Sequence, residues 1–180
     1  MRTITAGLFI TLDGVIEAPE KWNPPYYDEE LNRAVLPQLA DADVHLYGRR
    51  SYDLFRAVFT GPAAPPHAAM MTSTPKVVVS TALDHPDWGP TTVISSDVIA
   101  ELAKLKEQPG GIIAVAASAT LVRYLLTEGL LDELRLLVHP VVVGTGMHLF
   151  EGGFGQVPLN LAEARPHSNG VVALRYTRAG

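Results

Sequence analysis

Val44-His45-Leu46-Tyr47-Gly48-Arg49-Arg50-Ser51-Tyr52-Asp53 is the stretch on which the reading of this chain turns. Val44, Leu46 and Tyr47 bring the branched and aromatic bulk of a short strand. Gly48 allows a sharp turn where a side chain would obstruct. Arg49, Arg50 and Ser51 then fall in the first turn of a helix. Such a turn carries unpaired N–H groups and a partial positive charge, so two guanidiniums and a hydroxyl added there suit a phosphorylated cofactor. The pattern alone also admits a surface helix start with solvated arginines, and the surrounding chain has to decide.

Upstream, residues 2 to 10 read as a first strand that leaves through Thr11-Leu12-Asp13-Gly14-Val15, with Gly14 a candidate for positive φ. A loop rich in proline and carrying Trp22 follows, and with Tyr26 and Tyr27 it has the aromatics to close over a ring-shaped ligand. From Asp28 the spacing of Leu31, Val35 and Leu39 predicts a helix with acids at its favourable end, which Pro37 ends or bends.

Downstream, the helix of Tyr52, Phe55 and Val58 stops at Gly61-Pro62. Lys76 to Ser80 is an apolar, β-branched strand of the kind a parallel sheet covers on both faces. Thr91 to Ile94 is another, and Ser95, Ser96 and Asp97 offer caps for the helix of Ile99, Leu102 and Leu105. Ile112 to Val115 is a strand leading through Ala116-Ala117-Ser118 into a helix that Gly129 ends. Asp132 to Val143 reads as a long strand interrupted at Pro140. The last stretch is a hairpin of Leu159 to Arg165 and Val171 to Thr177, turning at Ser168-Asn169-Gly170.

Strand and helix alternate, so the fold class is α/β, a mostly parallel central sheet flanked by helices with a C-terminal antiparallel hairpin. Ligands of such sheets sit beyond the carboxyl ends of the strands. Those ends are Leu12 to Gly14, Gly48 to Ser51, Ser80 with Thr81, and Ala116 to Ser118, all small, polar or basic. Their convergence favours a phosphate-bearing ligand.

A chain of 180 residues, 47% hydrophobic and 18% charged, suits one domain over residues 1–180. A net charge of -5 with no long basic run argues against a nucleic-acid partner. Without cysteine there is no thiolate chemistry and no disulfide, which fits a cytoplasmic setting. No run approaches a membrane span. Met1 to Ile10 is apolar, but its threonines and the following Asp13 favour a buried strand over a signal peptide. His139, His148 and His167 lack ligand spacing, so no metal site is expected.

In order along the chain, Thr11-Leu12-Asp13-Gly14-Val15, Gly48-Arg49-Arg50-Ser51-Tyr52-Asp53, Val77-Val78-Val79-Ser80, Ser118-Ala119-Thr120-Leu121-Val122, Asp132-Glu133-Leu134-Arg135 and His139-Pro140-Val141-Val142-Val143-Gly144 resemble the dihydrofolate reductase superfamily. More narrowly, they are similar to bacterial proteins related to the C-terminal reductase domain of the riboflavin-biosynthesis deaminase/reductase. The resemblance implies an NADPH-dependent reductase acting on a small heterocyclic, imine or carbonyl substrate of pterin or ribosylamino-pyrimidine type, and a homodimer. A binding or sensing protein of the same fold, without turnover, is the rival reading.

By the same resemblance, Arg49 faces the adenosine 2′-phosphate with Ser80 and Thr81 nearby. Gly48, Arg50 and Ser51 lie along the pyrophosphate, with Ala117, Ser118, Ala119 and Thr120 across from it. Leu12, Asp13, Gly14 and Ile16 border the nicotinamide; a catalytic carboxylate belongs on the helix after the Trp loop, where Asp28 is the candidate, with Glu29 and Glu30 beside it and a solvated helix cap as the other reading. The family's glycine pair, joined by a cis peptide, is Ala116-Ala117 here. Two Cβ atoms make positive φ costly, so a trans peptide and an ordinary cap at Ser118 are expected.

Overall fold

The computed structural model describes residues 1–153 and 155–179. Strands β1 (Thr3–Thr11), β2 (Ala42–Gly48), β3 (Lys76–Val79), β4 (Thr91–Ile94), β5 (Ile112–Ala116), β6 (Glu133–His139), β7 (Leu159–Pro166) and β8 (Val172–Arg178) form one sheet, ordered β4-β3-β2-β5-β1-β6-β8-β7. Neighbours are parallel from β4 through β6; β8 and β7 complete the sheet antiparallel. Helices α1 (Glu29–Ala40), α2 (Arg49–Thr60), α3 (Ala68–Ser73), α4 (Val98–Glu107) and α5 (Ala119–Thr127) cover it. The expected α/β architecture with its closing hairpin is present.

Alternate residues of a strand face opposite sides, and the two sides of this sheet are filled differently. On one, Ile4, Ala6, Leu8 and Ile10 join Ile113, Val115, Leu134 and Leu136, packed by Leu102 of α4 and Leu121, Leu125 and Leu126 of α5 into one continuous core. On the other, the core is split. Tyr47 and Val78 pack with Tyr52 and Phe59 of α2, Met71 of α3 and Trp88; separately, Leu137 and Val171 pack with Leu31 of α1. Between the two clusters lie Thr5 and Gly7 of β1, paired in register with Ala114 and Ala116 of β5. These side chains are too small to fill the space under the helices, and they floor a deep cleft.

Several local expectations are corrected. Pro37 does not end α1, which runs on to Ala40. The proline is exposed, so the carbonyl that loses its partner can turn to water. The sixth strand stops at His139, ahead of a proline that has no N–H to give a ladder. It is also an interior strand, both of its edges paired, with β1 and β8. Asp97 precedes α4 with φ 48 and makes no side-chain cap bond. Gly14 has the positive φ expected of it, at 87.

Candidate functional site

The β2–α2 and β5–α5 junctions meet at the carboxyl edge of the sheet. Gly48 is extended, with φ −80, so its role is not a forced turn. A Cβ built there would find Ser118 Oγ at 3.8 Å, an ordinary contact, which corrects the expectation of an obstructed position. The Gly48 N–H donates to Ser118 Oγ at 3.2 Å, and the Ser118 hydroxyl donates to Ser51 Oγ at 2.6 Å. One serine thus ties the start of α5 to the start of α2.

Neither helix has a side-chain cap bond. Ala117 and Ser118 are both left-handed, with φ 55 and 54, against the expectation of an ordinary cap at Ser118; the 116–117 peptide is trans. Left-handed conformation costs an alanine about 1–2 kcal/mol and is tolerated where surroundings impose it. A left-handed residue followed by helical ones turns successive N–H groups into one concavity, a shape that takes anions. The Ser51–Ser118 bond holds that concavity against the first turn of α2.

The two arginines differ. Arg49 is already engaged, its Nε donating to Asp53 at 2.7 Å and a terminal nitrogen to the Ala82 carbonyl at 2.8 Å. That holds it toward the end of β3, where Ser80 Oγ accepts from the Ala82 N–H at 3.1 Å. Arg50 is exposed and has no protein partner among the described residues. Gly48, Arg49, Arg50, Ser51, Ala117, Ser118, Ala119 and Thr120 all line one cleft of about 940 Å³, whereas Ser80 and Thr81 stand behind Arg49 and outside its lining.

Of the first turn, only Ile16 lines the cleft. Leu12 and Gly14 pair by backbone with Val141 and Leu149. The Asp13 carboxylate accepts from the Thr11 hydroxyl and from the N–H groups of Val143 and Gly144, which lower its pKa to about 2. Leu12, Asp13 and Gly14 therefore clasp the loop after β6. Asp28 caps α1: one oxygen accepts from Leu31 N–H at 2.8 Å, the other from the Asn169 amide at 3.0 Å, and the side chain does not line the cleft. Trp22 and Tyr26 pack edge-on against buried His139, so of that loop's aromatics only Tyr27 reaches the cleft.

The cleft also takes in residues that sequence reasoning passed over, namely Glu17, Gln38, Phe55 and Arg135. Arg135 had a signal: a guanidinium in the middle of the apolar run Leu134–Val138 needs a reason to be there. One oxygen of Glu17 accepts from the Met147 N–H at 2.9 Å. No group of three or more histidines or acids among the described residues is placed to hold a metal ion.

A parallel sheet of this order, with an antiparallel closing hairpin and a cleft at the edge where two helices begin, defines a protein of dihydrofolate reductase-type fold. The solved structures agree. A putative riboflavin biosynthesis protein from Shewanella sp. PV-4 superposes with a TM-score of 0.77 at 18% identity, over 99% of both chains. Dihydrofolate reductase from Enterococcus faecalis, solved with NADP(H) and RAB-propyl, gives 0.66 at 13% identity over 99% of this chain and 97% of that one. The model of the RibD C-terminal domain matches residues 2–173, and the chain belongs to that family. It is similar to the uncharacterized protein YyaP of Bacillus subtilis (strain 168), 31% identical over 97% of this chain and 94% of the relative. Among the described residues no helix is long and apolar enough to cross a membrane.

Proposed function

We propose that this chain is an NADPH-dependent reductase of a small molecule with an electron-poor C=N or C=O carbon. One observation carries the reading: two uncapped helix N-termini, joined by the Ser51–Ser118 hydroxyl bond, open onto one cleft beside a free Arg50. The first-turn N–H groups of α2 and α5, with Ser51 and Ser118, hold a pyrophosphate. Arg49 and Arg50 take the extra phosphate that separates NADPH from NADH. The Enterococcus faecalis neighbour was solved with NADP(H), and its fold is shared over nearly the whole chain.

When bound, NADPH supplies a hydride to the substrate carbon, and the heteroatom takes up a proton. The protein contributes orientation and a desolvated floor of Gly7, Ala114 and Ala116, between apolar walls. Asp28 acts as a helix cap in this reading, and the proton comes from water at the open mouth. The active species is a homodimer joined through the exposed β7 edge.

Calorimetric titration with the two nucleotides tests the reading. Arg49→Ala should weaken NADPH by about 1.5–3 kcal/mol, the scale of lost charged hydrogen bonds, and leave NADH nearly unchanged. Equal affinity of the unmodified protein for the two nucleotides would sink the cofactor assignment. NADPH that binds but is never oxidised, across a panel of pterins, quinones and imines, would move the protein to the sensing reading.

A further inference from the structure

We infer that the second ligand of the cleft is an apolar, ring-sized molecule bearing a carboxylate, and that Arg135 receives that group; this rests on the reductase reading above. The charged side chains lining the cleft are Arg49, Arg50, Arg135 and Glu17, an excess of cations. One oxygen of Glu17 accepts from the Met147 N–H, and the two arginines of α2 belong to the nucleotide end. Arg135 stands apart on β6, directly beside Gly7 of β1 in the parallel register.

Its orientation is set from behind. The Arg135 Nε donates to Glu133, which also accepts from Arg175 at 3.2 Å, and Arg175 reaches Glu163 at 3.3 Å. The two terminal nitrogens of Arg135 have no protein partner among the described residues, and its side chain is 28% exposed. A half-buried guanidinium with a held Nε and a free two-nitrogen end matches the two oxygens of a carboxylate.

Opposite lies Gln38 of α1. Its Nε2 donates to the Ala34 carbonyl at 2.9 Å, so its Oε1 is left facing Gly7, 2.7 Å from where a Cβ there would stand. Any side chain at position 7 would displace that amide. Apolar side chains of the same cleft include Phe9, Val35, Leu39 and Leu137. An acid on an apolar ring finds both a cation and apolar walls here.

The test uses the full chain, with and without saturating NADPH, titrated with 2-naphthoate and 2-naphthamide. Naphthoate should bind at least fivefold more tightly than the amide and lose that advantage at high salt, a measurement that needs no variant. Arg135→Gln should cost naphthoate about tenfold and leave the amide and NADPH unchanged, Arg135→Lys should keep part of the preference, and Arg50→Ala should not affect it. Equal binding of acid and amide, or a naphthoate loss on Arg50→Ala in place of Arg135→Gln, would overturn the assignment. Failure of NADPH to bind, with naphthoate preference intact in the nucleotide-free protein, would instead count against the cofactor reading alone.

Discussion

At the scale of single residues, the most informative side chains are those held against their own preferences. His45 is fully buried and stacked on Tyr47, and neither ring nitrogen has a partner. Burial first, and the nearby Lys76 charge second, bring its pKa down to about 4. The unfolded chain therefore binds this proton first as pH falls from the ordinary value of 6.5. Stability from this group is intact above about 6.5 and declines toward pH 4, by about 3 kcal/mol in total. His45→Phe keeps the ring and removes the titration, so its urea midpoint should drop less between pH 7.5 and 4.5 than that of the unmodified protein. Ala117 is strained differently, through its left-handed backbone. Ala117→Gly should raise stability by about 1 kcal/mol, read as a higher Tm, and leave NADPH affinity unchanged or improved. A lower Tm would show that the alanine methyl packs better than its backbone suffers.

At the scale of elements, α1 shows how a cap can resemble a catalytic acid in sequence. Asp28 follows an aromatic loop and opens a helix, the setting in which a reductase carboxylate is expected, yet its oxygens serve Leu31 and Asn169. Asp28→Ala should cost about 1 kcal/mol of stability by thermal melting and change the NADPH dissociation constant less than twofold. The strands and helices were readable because period and punctuation coincide in them: Val77-Val78-Val79, Gly61-Pro62 and Asn169-Gly170 each carry a local physical cause. The strand-to-helix junction at Gly48-Arg49-Arg50-Ser51 was also readable, since it needs only its own helix. The inner cleft was not readable, because it depends on which strands become neighbours. Gly7, Gln38 and Arg135 lie far apart in sequence and meet only through the β1–β6 register and the packing of α1. The left-handed pair at Ala117 and Ser118 was missed as well: Ser118 bonds the hydroxyl of Ser51 and the N–H of Gly48, which come from another junction.

At the scale of the whole molecule, the sheet ends in a wing. Every residue of β7 after Leu159 is exposed, and Leu161 keeps 57% of its surface. An unpaired edge of that length invites a second strand. Sedimentation at micromolar concentration should show a dimer, and Leu161→Lys should shift it to monomer; a monomeric unmodified protein would end the proposal. The opposite feature, a first strand at the middle of the sheet, has its consequence in time. Thr3 pairs with Ile112 and Thr5 with Glu133, so the central strand of the fold waits for partners more than a hundred residues behind it. At synthesis rates of about 5–20 residues per second, Ile4, Ala6, Leu8 and Ile10 spend several seconds outside the ribosome with both edges bare. A nascent chain arrested before Ile112 carries an apolar strand with no sheet to enter, a substrate for chaperones and for proteases. One arrested only after Arg178 has left the ribosome has everything it needs to close.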